Sequence, residues 1–217
     1  MKLVIFGASG ASGRALVEQA RERGHEVRAI VRPKTSWRPP PGVDLLEGDL
    51  YDVAFLTRAV EGRDVVLSAL GLRFASIAPW AKPEVADFLS RCTPALVEAM
   101  KASGVARIIA ISAGGVGDSW DQVPGMFRAF VKTTALRHAY AELEVMESCL
   151  KRSGLDFCIC RPTGLTDGPR TGKAKVVTAV HGRATIARAD VAAWMLDEAE
   201  HPAHGGRTPM ITETGAD

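Results

Sequence analysis

Long apolar runs, a strong net charge and paired cysteines are all missing from this chain. No stretch approaches the ~20 consecutive apolar residues that a membrane-spanning helix needs, so a bilayer span is not expected. Lys and Arg number 27 against 25 Asp and Glu, a formal net charge of +2. The basic residues are scattered, so there is no footprint for nucleic acid or an acidic membrane surface. The four cysteines, Cys92, Cys149, Cys158 and Cys160, contain no C-x-x-C pair. Cys158 and Cys160 stand two apart in a strand-like run and so share one face. They read as small buried side chains rather than a metal or redox pair. The amino terminus has one lysine and then a strand-like run, so no signal peptide is expected and a reducing cytoplasm fits. Tyrosine occurs twice, and the five histidines gather at no evident site.

What is present reads as one folded domain over 1–217. Apolar residues make up 47% and charged residues 24%, the balance of a globular protein, in a chain long enough for one well-buried core. Short apolar runs alternate with segments of helical period. The runs are KLVIF (2–6), EVRAIV (26–31), DLLEG (44–48), DVVLSAL (64–70), RIIAIS (107–112) and DFCIC (156–160). Their Val, Ile and Leu density predicts strands covered on both faces. Between them, residues 11–23, 83–103, 135–153 and 189–200 predict helices, with Pro94 marking a kink, or a restart capped by Thr93. The alternation predicts a doubly wound parallel α/β sheet with helices on both faces. Segments 71–82, 113–134 and 165–175 break the rhythm. The first two are long, rich in Gly and Pro, and follow strands, which puts them at the carboxyl edge of the sheet where open α/β folds bind ligands.

Residues 7–14 read GASGASGR and follow the first run directly. A strand passing through such a turn into a helix is the setting in which glycines cradle a dinucleotide. Gly7 allows the sharp exit, Gly10 lets the backbone approach a pyrophosphate, and Gly13 lets the helix pack closely on the sheet. The amides from Gly10 through Ala11 and Ser12 to Gly13 then face the phosphates at the positive end of the helix dipole. Ser9 and Ser12 add hydroxyl donors. About 20 residues on, where an acid would hold the ribose 2′-hydroxyl of NAD, stands Arg32, with Lys34 close by. A guanidinium there pairs with a 2′-phosphate, so NADP(H) is expected ahead of NAD(H). Asp49 is a candidate acceptor for the adenine amino group, or a cap for a helix over 51–60, and Leu50 a cover for the ring. Leu70 is a candidate adenosine contact, and Gly71 a point where the backbone passes the cofactor.

Taken in order, IFGASGASGR, VRP, EGDL, ALG, RIIAISA, SGLDFCICRPTGLTDGP and ARADVAAWML resemble the atypical short-chain dehydrogenases/reductases. The chain is most similar to the NAD(P)H-binding group around biliverdin-IXβ reductase/flavin reductase. The resemblance covers nearly the whole chain and implies a Rossmann fold holding NADP(H) in extended form, with Arg32 on the 2′-phosphate and Asp49 and Leu50 on the adenine. It also implies that Pro162 and Thr163 lie nearest the nicotinamide carboxamide, and that hydride passes to a planar conjugated acceptor. The rim aromatics Phe74, Trp80, Trp120, Phe127 and Phe130 offer a stacking surface for it, or simply loop packing.

The larger superfamily reduces carbonyls with Tyr-x-x-x-Lys. Here Tyr51 precedes a helix far from that site, and Tyr140 is followed at 144 by Glu144, whose charge would raise the phenol pKa. Tyr140 also falls on the apolar stripe and is expected in the core. Ser112, at the end of the fifth run, is the one candidate catalytic hydroxyl, able to bond the nicotinamide, a substrate or loop backbone. No metal site is expected. The expected function is NADPH-dependent hydride transfer to a flavin, quinone or tetrapyrrole-like small molecule, in a monomer or weak homo-oligomer. The alternatives are a dinucleotide-binding redox sensor without turnover and, disfavoured by the short carboxyl-terminal region, a nucleotide-sugar epimerase or dehydratase.

Overall fold

The computed structural model describes residues 1–215. Six runs form the expected parallel strands β1 (Lys2–Phe6), β2 (Glu26–Val31), β3 (Asp44–Glu47), β4 (Val65–Ser68), β5 (Arg107–Ile111) and β6 (Asp156–Pro162). They line up in the order β3-β2-β1-β4-β5-β6. The chain winds outward from β1 in one direction and then returns to place β4 on its other side, so the switch point lies between β1 and β4. Helices α1 (Ala11–Glu22), α2 (Val53–Val60), α3 (Phe88–Ala102), α4 (Gly125–Thr133), α5 (Leu136–Arg152) and α6 (Arg188–Glu200) complete the winding.

Strand period separates two cores. On β1, Leu3 and Ile5 join the layer containing Leu16 and Val17 of α1 and Val191 and Met195 of α6. Val4 and Phe6 join the opposite layer with Leu56, Leu89, Met100 and Leu150. All four β1 side chains are fully buried, and each such burial contributes about 1.5–3 kcal/mol. A strand covered on both faces therefore reads as an unbroken apolar run.

Four short strands were not foreseen. β10 (Met210–Thr212) extends the sheet parallel to β6, β8 (Lys175–Val177) closes it antiparallel, and β7 (Gly164–Thr166) pairs with β9 (Thr185–Ala187). Each spans three residues, too few to show a period. Two other expectations are corrected. The segment expected as a helix over 83–103 starts at Phe88 and runs unbroken through Pro94, with Asp87 rather than Thr93 at its N-cap position. Cys92, Thr93 and Leu96 are buried on both sides of Pro94, so packing carries the helix across the missing N–H. The rim segment 113–134 is not all loop: it holds a 3-10 helix over Gly117–Gln122 and then α4.

Cys158 and Cys160 are fully buried in the α1/α6 layer, as their spacing implied, and Cys92 is buried in the other. Burial pushes the Cys92 and Cys158 thiols up to about 12 and raises Cys160 well above its ordinary value. Burial also raises half-buried Cys149, against the pull of Arg152 and Lys101. Iodoacetamide at neutral pH should therefore mark native protein at Cys149 or nowhere, and all four cysteines only after denaturation. Rapid labelling of four sites in folded protein, read by mass spectrometry, would contradict this burial.

Candidate functional site

A cleft of about 500 Å³ opens at the carboxyl ends of β1, β4 and β5, at the switch point. Its floor is the glycine turn. Gly7 leaves β1 at φ +75°, and a Cβ there would lie 2.6 Å from the carbonyl oxygen of Ala69, just past the end of the neighbouring β4. A Cβ on Gly13 would come within 2.1 Å of the Gly7 oxygen, so the third glycine lets the helix sit on the turn itself. Gly10 is different: the nearest atom to a Cβ is that same oxygen, at 3.3 Å. Its amide donates to the Gly7 carbonyl at 3.0 Å, and Arg14 Nε holds the Ser9 carbonyl at 2.9 Å.

No side chain caps α1. Its first-turn amides at Ala11, Ser12 and Gly13 have no acceptor within the helix, and among the described residues none is supplied from outside it. Uncapped donors at a helix's positive end, beside a glycine that leaves room for close approach, fit a pyrophosphate.

Arg32 directly follows β2 and lines the same cleft, 47% exposed, and among the described residues its one ion-pair contact is a loose 3.7 Å from Nη1 to Glu84 Oε2. Such a contact holds an exposed guanidinium weakly and leaves it free for a stronger anion. Leu50, Leu70 and Gly71 line the cleft with Arg32 and the glycine turn, as does Phe88. Asp49 is not among the lining residues. It is exposed and accepts the Tyr51 amide at 2.9 Å. The helix it was a candidate to cap is capped by Asp52 instead, through the amides of Ala54 and Phe55.

At the far end of the cleft the wall is Ser112, Ala113, Leu136, Ala139, Tyr140, Leu143 and Leu165. Pro162 and Thr163 are bonded elsewhere. The Pro162 carbonyl accepts the Gly114 amide at 2.9 Å, and Thr163 donates its amide to Ile211 at 3.1 Å while its hydroxyl meets Thr212 at 2.9 Å. Of RPTGL, Leu165 is the residue that reaches the cleft. None of the five rim aromatics lines it; Trp120 and Phe127 pack edge-on against Tyr140 at centroid distances of 6.4 and 6.3 Å. Tyr140 was expected in the core, yet it forms part of the wall. Its hydroxyl donates to the Gly114 carbonyl at 2.9 Å, and burial raises the phenol above its ordinary range. The cause is desolvation and not, as the sequence implied, the charge of Glu144. Ser112 is buried, and its hydroxyl donates to Glu147 Oε1 at 2.7 Å.

Arg188, the first residue of α6, lines the cleft and pairs with Asp167 at 2.5 Å. It escaped sequence reasoning, although it stands inside ARADVAAWML. The available signal was a cation opening a helix at the carboxyl edge of the sheet. Asp190, two residues on, accepts the amides of Thr171 and Gly172 at 2.7 Å each and so pins the third rim segment.

A family model described as NAD(P)H-binding matches residues 7–202. A chloroplastic protein of Arabidopsis thaliana is 32% identical over 180 residues, which cover 79% of this chain and 61% of that protein; the chain thus spans only part of this relative's length. Among solved structures, ChuY, an anaerobilin reductase from Escherichia coli O157:H7, matches with a TM-score of 0.78 at 25% identity, over 100% of this chain and 99% of its own. A short-chain dehydrogenase/reductase of Veillonella parvula, in complex with NADP, matches with a TM-score of 0.80 over 99% of this chain and 95% of its own; at 16% identity it speaks for the fold alone.

Proposed function

Since this chain belongs to the NAD(P)H-binding family, we propose that it is an NADPH-dependent reductase that delivers hydride to a planar conjugated acceptor. The observation that carries this reading is the single cleft in which an uncapped glycine turn, a loosely held Arg32 and an apolar wall at the far end follow one another. The amides of Ala11, Ser12 and Gly13 hold the pyrophosphate. Arg32 takes the 2′-phosphate, and Leu50 and Leu70 cover the adenine. Bound there, the reduced nicotinamide supplies a hydride. Leu136, Tyr140, Leu143 and Leu165 form an apolar surface for a flat partner and exclude water from its face, so rate comes from proximity and orientation.

The cleft's hydroxyls argue for the acceptor class. Tyr140 gives its proton to Gly114 and Ser112 gives its proton to Glu147, so neither is poised to protonate an alkoxide. Flavins, quinones and linear tetrapyrroles accept hydride with the proton drawn from solvent. The match to ChuY, a tetrapyrrole reductase, over its full length supports the same class. The same internal bonding favours a second reading, a sensor that binds the dinucleotide without turning it over.

The two readings separate on NADPH oxidation followed with FMN, riboflavin, a simple quinone and a linear tetrapyrrole. The reductase gives saturable turnover with at least one of them. Tight NADPH binding with no turnover across the panel would overturn it and leave the sensor.

A further inference from the structure

Behind Ser112 lies a charged cluster that the cleft does not expose. Glu147 projects from the inner face of α5, between Met146 and Leu150 of the apolar stripe, and is 2% exposed. Its Oε1 accepts from Ser112 Oγ at 2.7 Å and from Arg161 Nε at 2.9 Å. Its Oε2 accepts from Arg161 Nη2 at 2.5 Å and from Lys151 Nζ at 3.2 Å. Arg161, on β6, is likewise 2% exposed and also bonds Asp118 Oδ1 at 2.5 Å. Each carboxylate oxygen of Glu147 thus accepts two hydrogen bonds.

A buried ion pair of this kind is a weak source of stability, because desolvation offsets most of the attraction and apolar residues of the same volume often do as well. What the pair does provide is direction. A hydroxyl carries one proton and two lone pairs. With its proton held by a carboxylate that cannot donate, Ser112 has only acceptor capacity left for the cleft it lines.

We propose that Glu147 is a positioning residue: oriented by Arg161, it fixes Ser112 as a hydrogen-bond acceptor for the carboxamide N–H of the nicotinamide. This rests on the cofactor reading above. It converts Ser112 from a candidate proton donor into a reader of the amide, and it gives the buried charges on α5 and β6 a purpose at the cleft. Asp118, on the 3-10 helix, accepts from the same Nη2 of Arg161 that donates to Glu147 and ties the 113–122 segment to the same cluster.

The test compares dissociation constants, by calorimetry, for NADPH and its 3-acetylpyridine analogue, which carries a methyl ketone where the amide stands. The parent protein should prefer NADPH by about tenfold, the cost of setting a carbonyl against an acceptor with no proton to share. Ser112→Ala should abolish that preference and Ser112→Thr should restore it. In the double variant Glu147→Leu with Arg161→Met, both charges go together and the fold survives, as circular dichroism and melting will show. There the freed Ser112 hydroxyl can donate to the ketone, and the preference should again vanish. Asp118→Ala loses the outer tie alone and should keep it. A folded double variant that still prefers NADPH tenfold overturns the proposal while leaving the cofactor reading intact. Absence of binding by either nucleotide to the parent protein overturns both.

Discussion

Gly10→Ala should leave a folded protein that has lost its dinucleotide, whereas Gly13→Ala should damage the fold itself. The two glycines are three residues apart in one turn, but their surroundings differ. A methyl on Gly13 would meet the Gly7 oxygen at 2.1 Å and the Ala8 Cα at 2.8 Å, both backbone atoms that yield only if α1 lifts from the sheet. Overpacking of this kind costs about 1–3 kcal/mol or more. In a chain of this size that lowers the melting temperature by roughly 2–12 °C. Lifting α1 also moves the amides of Ala11 and Ser12, so binding falls with stability. Gly10 meets nothing closer than 3.3 Å, and its φ of −75° suits any residue. Alanine there should cost about 1 kcal/mol as a poorer N-cap. Its methyl would nevertheless stand where a pyrophosphate must approach the backbone, and NADPH affinity should drop about 100-fold, the equivalent of one strong charge-assisted hydrogen bond. Calorimetry beside a thermal melt distinguishes the two variants. A Gly10→Ala protein that binds as tightly as its parent would show that the phosphates lie elsewhere.

Arg32→Glu should invert the choice between NADPH and NADH. A charge-assisted bond to phosphate is worth about 1.5–3 kcal/mol, and a carboxylate in its place adds repulsion, so NADPH should weaken about 100-fold or more. NADH should hold or improve, since the new carboxylate can accept the ribose 2′-hydroxyl. Stability should barely change, because the side chain is about half exposed and its contact with Glu84 is long. The NADPH effect should shrink as salt is raised. An unchanged ratio of the two dissociation constants would mean that another group faces the 2′-position.

Much of this architecture could be read from the chain because its signals are local. A strand buried on both faces, such as Val4 to Phe6, is a run of large apolar residues whatever surrounds it. The glycines at 7, 10 and 13 announce a turn whose geometry tolerates little else at two of the three positions. Arg32 was visible because its place is fixed by counting from that turn. What stayed hidden depends on distant parts of the chain. Arg188 reaches the cleft only because α6 packs beside α1, and Phe88 and Tyr140 line it because α3 and α5 begin at its lip. The stripe Leu136, Tyr140, Leu143, Met146, Leu150 looked uniformly apolar, yet its first half faces the cleft and its second half the core. Periodicity identifies a covered face, not what covers it. α4 was masked by the glycines and proline before it, and the three-residue strands β7 to β10 owe their pairing to neighbours that no window of sequence contains.

The burial of the thiols bears on endurance. Quinones and extended conjugated ketones are Michael acceptors, and a reachable thiolate adds to them irreversibly. A protein proposed to handle such compounds works best when its own sulfur is out of play. Among the described residues no cysteine lines the cleft, and three of the four are sealed inside the two layers with their thiols held protonated. An electrophile in the cleft would therefore meet no thiol, and Cys149, half-buried and away from the cleft, is the one thiol among the described residues left within reach of solvent.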